Sequence, residues 1–118
     1  MFTIRPFNRA DTDAVIALWQ ACGLTRVWND PLADIKCKMK VQPELFIIGE
    51  MSDSVIASAM FGYDGHRGWL YYFAVSPEYQ NQGYGRRLLA HGEEALKSRG
   101  CSKLIFKFGQ IIPPLKPF

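Results

Sequence analysis

A run of seven apolar residues, Trp69-Leu70-Tyr71-Tyr72-Phe73-Ala74-Val75, leads through Ser76-Pro77 to Gln80-Asn81-Gln82-Gly83-Tyr84-Gly85, after which apolar residues recur at helical spacing. A strand that feeds a glycine-containing turn and then a helix leaves the first N–H groups of that helix without intrahelical acceptors, at the positive end of its dipole. Such a turn binds phosphate groups. Two glycines let a ligand approach the backbone with no side chain in between. The order strand, turn, helix therefore commits the chain to a mixed α and β fold and points to a phosphate-bearing ligand.

The length of 118 residues predicts one domain with a single core, and 48% apolar against 21% charged residues argues against a disordered chain. No apolar run is long enough to span a bilayer, and Met1-Phe2-Thr3-Ile4-Arg5-Pro6 has no basic segment leading into an apolar one, so neither a membrane nor a secretory signal is expected. Cys22, Cys37 and Cys101 are odd in number and contain no C-x-x-C pair. They read as free thiols in a reducing, cytoplasmic compartment, with no metal site. Charge is uneven: residues 1–59 carry six Lys/Arg against seven Asp/Glu, and 60–118 carry eight against four. The basic excess thus falls in the half that holds the glycine turn, where Arg86 and Arg87 follow directly, and favours an anionic ligand. No basic run interleaved with aromatics suggests nucleic acid as a partner.

Phe2 and Ile4 alternate with Thr3 and Arg5 in a first strand that stops at Pro6. Asn8 caps a predicted helix with Val15, Leu18, Trp19 and Cys22 on its apolar face and Gly23 at its end. Asp30-Pro31 starts a second helix, with Leu32, Ile35 and Met39 inward, Lys36, Lys38 and Lys40 outward, and a stop before Pro43. Leu45–Ile48 reads as a buried strand, Met51–Ser54 as a hairpin turn, and Val55, Ala57, Ala59 and Phe61 as the alternating inward face of the return strand. Asp64–Gly68 connects to strand 69–75. A helix from about Gly83 to Arg99 turns Leu88, Leu89, Gly92, Ala95 and Leu96 inward, and a last strand follows at 103–108. Because a crossover helix precedes it, this strand is suited to lie parallel to 69–75. Residues 109–118, with Pro113, Pro114 and Pro117, form an irregular tail.

Two familiar phosphate-binding turns do not fit. A dinucleotide-binding turn wants a third glycine where Leu88 stands and an acidic residue in the region of Ile105 and Phe106, and no Gly-Lys-Ser/Thr follows for a P-loop. The segment Val75-Ser76-Pro77-Glu78-Tyr79-Gln80-Asn81-Gln82-Gly83-Tyr84-Gly85-Arg86-Arg87-Leu88-Leu89 resembles instead the acyl-CoA motif of the GNAT N-acetyltransferase superfamily, Gln/Arg-x-x-Gly-x-Gly/Ala between the fourth strand and the third helix. The element order β-α-α-β-β-β-α-β is similar to that family over residues 1 to about 108. Arg26–Pro31 and Gly62–Gly68 resemble small bacterial members of the YpeA type.

The resemblance implies an α/β (α+β) fold with a mixed, mostly antiparallel sheet, and an acetyl-CoA-dependent transfer of an acetyl group to a primary amine on a small molecule or a protein. It implies that Gln80 and the amides of Gln82, Gly83, Tyr84, Gly85 and Arg86 hold the CoA pyrophosphate. The backbone of Phe73, Ala74 and Val75 then lies along the pantetheine arm, and a bulge near Tyr72 parts strand 69–75 from strand 103–108. In such enzymes the amine attacks the thioester directly, so catalysis rests on orientation, oxyanion stabilisation and proton transfer. Tyr72 and Glu50 are the candidate catalytic residues, and Trp28, Asn29 and Tyr71 the candidate acceptor contacts; His66 and Asp64 read as residues of a turn.

The family continues into a fourth helix, a tyrosine acid and two further strands, whereas no tyrosine follows Tyr84 here and the periodicity stops after Phe108. The expectation is a chain shortened at its C-terminus, by truncation, frame change or genuine variation. Two alternatives follow: a catalytically impaired acyl-CoA-binding module, and an interaction domain whose open sheet edge pairs with a partner or, as a homodimer, with itself.

Overall fold

The structure, a computed structural model, describes residues 1–25, 30–65 and 67–101, together with the backbone of 104–106. β1 (Phe2–Pro6) is followed by a 3₁₀ turn at Arg9–Asp11 and by α1 (Thr12–Ala21) and α2 (Pro31–Lys40). A 3₁₀ turn at Pro43–Leu45 opens the meander of β2 (Phe46–Met51), β3 (Ser54–Tyr63) and β4 (Gly68–Val75). Another, Pro77–Tyr79, precedes α3 (Tyr84–Lys97), and β5 (Leu104–Phe106) follows. The strands lie side by side in chain order, the first four antiparallel and β5 parallel to β4. This is the mixed, mostly antiparallel sheet expected.

Local chemistry sets the boundaries. Asn8 Oδ1 accepts from the Ala10 amide while Asp11 Oδ2 accepts from the Asn8 amide, a reciprocal cap that starts the first helical segment. Arg5 then donates to both Asp11 oxygens at 2.8 and 2.9 Å and to Glu50 at 3.2 Å, tying β1 to the start of α1 and to β2. Asp30 caps α2 through the Ala33 amide at 3.1 Å, with Pro31 at the first helical position. Ser52 and Asp53 both adopt positive φ, the two-residue turn that matches the twist of a β-hairpin.

The sheet is covered on both faces. Ala57, Ala59, Phe61, Leu70 and Phe73 pack beneath α3 with Leu88, Leu89 and Leu96. Phe46, Ile48, Met60 and Ala74 pack beneath α1 and α2 with Val15, Leu18, Trp19 and Ile35. This three-layer arrangement corrects the pattern predicted for β3. Residues 56–61 are all buried, because the strand is central, and Val55 lies on the α1–α2 face while Ala57, Ala59 and Phe61 lie on the other. The register slips between the Gly49 and Glu50 pairs, which places Ile56 and Ala57 on the same face. Leu45 belongs to the 3₁₀ turn rather than to a strand, and α3 ends at Lys97 rather than Arg99. Leu32 is 44% exposed, not inward, and Lys38 is half-buried, not outward. Residues 107–118, which include the end of the predicted last strand and the tail, lie outside the described residues.

Gly92 sets how closely α3 approaches the sheet. A Cβ on Gly92 would stand 2.0 Å from the Phe61 ring. Alanine in a helix gains about 1 kcal/mol over glycine, whereas overpacking a core costs about 1–3 kcal/mol. Gly92→Ala is therefore expected to lower stability in urea unfolding despite its better helix propensity; a gain would contradict this packing. The Arg5 guanidinium holds the Asp11 carboxyl below its usual value of 3.8. A depressed carboxyl contributes stability that is complete above the unfolded value and lost as pH falls through the folded one. Wild-type stability should therefore drop below about pH 4, and Asp11→Asn should be less stable at neutral pH but flatter over that acid range.

Candidate functional site

β4 carries the feature around which the site forms. Met60 pairs with Tyr71 and Ser58 with Ala74, so Tyr72 and Phe73 together oppose Ala59 alone. This is a β-bulge, and Tyr72 takes φ +48, rare for a side chain of that size. The extra residue breaks the alternation of the strand. Leu70, Phe73 and Val75 face α3, but Tyr71 and Tyr72 both face α1 and α2.

A chain of polar contacts holds the bulge. Trp19 Nε1 donates to Ser58 Oγ at 2.8 Å, and Ser58 Oγ donates to the Tyr72 carbonyl at 3.0 Å. Both Trp19 and Ser58 are fully buried. The Tyr72 ring stacks on the Trp19 indole at 3.9 Å between centroids, and its hydroxyl donates to Asp34 on α2. Replacing Ser58 with alanine removes the acceptor of the buried Trp19 indole N–H and one donor to the Tyr72 carbonyl, worth about 1–3 kcal/mol. Ser58→Ala should therefore lose stability of that order and speed amide exchange at residues 71–74; unchanged exchange there would show that the bulge holds without it.

Past the bulge, one side of β4 pairs with no strand among the described residues. The described residues of β5 pair only with Gly68, Trp69 and Leu70. The Ser76 amide donates to Ile56 on β3 at 2.7 Å, so the backbone of Val75, one residue earlier, turns away from β3. On that side the Val75 carbonyl accepts from Gln80 Nε2 at 2.9 Å and from the Cys22 thiol at 3.2 Å. A cavity of about 860 Å³ opens there, reaching from Ala21, Cys22 and Leu24 at the end of α1, along Phe73, Ala74 and Val75, to Gln80, Gly83, Gly85 and Arg86. Burial pushes the Cys22 thiol up, which keeps it a protonated donor in this wall.

The glycine turn closes the far end. Gly83 caps α3 with φ +88, a conformation that suits glycine, and a Cβ there would meet nothing within 4 Å. The first helical bond is Arg87 N–H to the Gly83 carbonyl, so the amides of Tyr84, Gly85 and Arg86 have no intrahelical acceptor. A Cβ on Gly85 would press on Phe73 and Val75 at 3.2 Å, so glycine seats the helix end against β4. The two arginines diverge: Arg86 lines the cavity, while the Arg87 guanidinium lies 4.9 Å from the centroid of the Phe2 ring.

The structure thus gathers Phe73, Ala74, Val75, Gln80, Gly83, Gly85 and Arg86 around one cavity, while Tyr71 and Tyr72 pack on the α1–α2 face of β4. Gln82 and Tyr84 do not line it: Gln82 Nε2 donates to the Glu78 carbonyl and the Tyr84 ring packs on Phe2. Glu50 is engaged by Arg5 in the ion pair that joins β1 and β2. Trp28, Asn29 and His66 lie outside the described residues. Burial and the Asp64 carboxylate push the Tyr71 phenol up. Among residues that sequence reasoning leaves in the core or on the surface, Trp19, Ser58, Cys22 and Asp34 touch the site. Ser58 carries one signal, a hydroxyl inside the apolar run Ile56–Phe61.

Among the described residues no group of three His, Cys, Asp or Glu could hold a metal ion, and no helix is long and apolar enough to cross a membrane. Residues 10–110 match the Acetyltransferase (GNAT) family. An acetyltransferase of Yersinia enterocolitica is 46% identical over 101 residues, which make up 86% of this chain and 72% of that protein. Among solved structures, Ard1 from Thermoplasma volcanium superposes with a TM-score of 0.75 at 21% identity, over 85% of this chain and 66% of its own, a likeness of fold. The N-acetylglutamate synthase of Neisseria gonorrhoeae, solved with coenzyme A and N-acetyl-glutamate, superposes with a TM-score of 0.71 at 26% identity, over 90% of this chain and 25% of its own. With the family match across most of its length and the strand–turn–helix in place, the chain belongs to the GNAT family of acetyltransferases.

Proposed function

We propose that the chain binds acetyl-CoA along the cavity side of β4 and the N-terminus of α3, and transfers its acetyl group to a primary amine. The observation that carries this reading is the continuity of the cavity: an apolar wall and a strand edge at one end, and Gly83, Gly85 and Arg86 of the helix start at the other. That sequence of surfaces suits a ligand with an extended amide-bearing arm and an anionic diphosphate. The relative solved with coenzyme A supports the same ligand class.

Bound acetyl-CoA supplies an acetyl group already activated as a thioester. In the overall transfer a C–N bond forms as the C–S bond breaks, the amine nitrogen gives up a proton and the sulfur departs as a thiol. The chain contributes orientation: Phe73 and Val75 offer backbone groups past the bulge, and the amides of Tyr84, Gly85 and Arg86 anchor the anionic end. Tyr72 and Tyr71 line the other face of β4, where the acceptor enters in this reading. The Tyr72 hydroxyl is oriented by Asp34, whereas Glu50, held by Arg5, is left with a structural role.

Calorimetric titration with acetyl-CoA tests the cofactor site. Wild-type binding is expected to weaken by about tenfold or more in Arg86→Glu, which puts an anion at the diphosphate end. Gly83→Val, which strains a left-handed residue beside the same amides, should weaken it as well. Arg87→Glu should have a smaller effect, because Arg87 lies over Phe2. Equal losses at Arg86 and Arg87, or none at either in folded variants, would contradict this placement.

A further inference from the structure

The face of α2 that looks onto the two bulge tyrosines carries opposite charges one helical turn apart. Asp34 Oδ2 accepts from the Tyr72 hydroxyl, and its other oxygen has no hydrogen-bond partner among the described residues. Four residues on, Lys38 extends over β3, its Nζ 3.7 Å from where a Gly62 Cβ would stand; the Tyr71 ring edge lies 3.8 Å from the same point.

Asp and Lys four apart on a helix ordinarily attract one another. Here no ion pair joins them within 4.0 Å, and among the described residues Lys38 pairs with no carboxylate. The carboxylate that acts on it electrostatically, Glu44, is taken by Arg99 at 2.8 Å. All four side chains, Asp34, Lys38, Tyr71 and Tyr72, are half-buried. Burial, with a smaller contribution from Arg99, pushes the Lys38 ammonium down to about 8, and Glu44 offsets this only in part. A half-buried cation without a partner is disfavoured, and an anionic ligand group would relieve that cost.

The direction of the pair matches the reaction. Asp34 stands at the hydroxyl of the bulge residue Tyr72. Lys38 stands over Gly62, which pairs with Trp69, three residues before Tyr72 and roughly 10 Å back along the strand. On helical spacing the two side chains start about 5–6 Å apart.

We propose that Asp34 and Lys38 form an acceptor subsite for a primary amine joined to a carboxylate or phosphate by a chain of several atoms. Asp34 takes the ammonium end beside the bulge and Lys38 the anionic end. This rests on the acetyltransferase reading for which face of β4 the acceptor uses, but its binding test is independent of the cofactor. α-Amino acids are too short to reach both charges when their single amine is at Asp34. Neutral-ended amines leave Lys38 unpaired.

The test is calorimetric titration of the whole chain, without CoA, using ε-aminocaproate, ε-aminocaproamide, hexylamine and glycine. ε-Aminocaproate is expected to bind about tenfold more tightly than the other three, the effect of one additional charge-assisted hydrogen bond. Lys38→Met should abolish the preference for the carboxylate while the variant keeps its fold by circular dichroism. Asp34→Asn should weaken ε-aminocaproate and hexylamine alike. Comparable affinity for ε-aminocaproate and its amide, no binding of ε-aminocaproate by the folded wild type, or a preference that survives Lys38→Met would overturn the proposal. A chain that binds acetyl-CoA but not ε-aminocaproate loses only this inference. The opposite result removes the cofactor reading and leaves the subsite standing.

Discussion

The hydroxyl of Ser58 decides the shape of the central strand pair. A bulge in the middle of a sheet deprives a backbone carbonyl of its ladder partner, and an unpaired buried carbonyl is costly. Ser58 supplies that partner from the neighbouring strand, and Trp19 satisfies its indole N–H on the same oxygen. The three groups settle together, so α1, β3 and β4 are locked around the residue with the unfavourable φ. From this follow two consequences that flat strands could not have. Two consecutive tyrosines share one face, and the far half of β4 turns toward the cavity a backbone side that pairs with no strand among the described residues.

The second constraint is glycine in α3. Gly92 lets the helix lie against Phe61, and Gly85 lets its first turn press on Phe73 and Val75. Close seating of the first turn brings Gly85 and Arg86 to the same cavity as Phe73 and Val75. Arg86 and Arg87, adjacent in sequence, then serve different surfaces, since neighbouring helical residues point about 100° apart. The polar end of the cavity thus emerges from where the helix is placed, and a positive charge is added only once.

Much of the fold is legible because its signals are local. Asn8, Asp30-Pro31, the tight turn at Ser52-Asp53 and the glycine turn at Gly83 each mark a boundary by their own chemistry. The order of elements and the parallel last strand follow from those marks and from the crossover helix. What periodicity cannot show is burial on both faces. It gives β3 one inward side, yet α1–α2 and α3 cover both, and a bulge at Ile56 shifts the phase of the strand. Spacing alone turns Leu32 inward, but α2 packs through Ile35 and Met39 with Lys38 beside them. The polar residues at the bulge are least legible. Trp19 reads as core by spacing, Asp34 carries no signal of its own, and only their meeting across the fold gives them a part in the site.

The central claim is that the side of β4 past the bulge, together with the first turn of α3, forms one continuous ligand surface. Residue-resolved amide exchange with and without acetyl-CoA measures it directly. Slowed exchange is expected at Phe73, Val75, Tyr84, Gly85 and Arg86 together, with β1 and β2 unchanged. Protection confined to the turn, or spread evenly over the whole sheet, would contradict a surface built on the cavity side of β4.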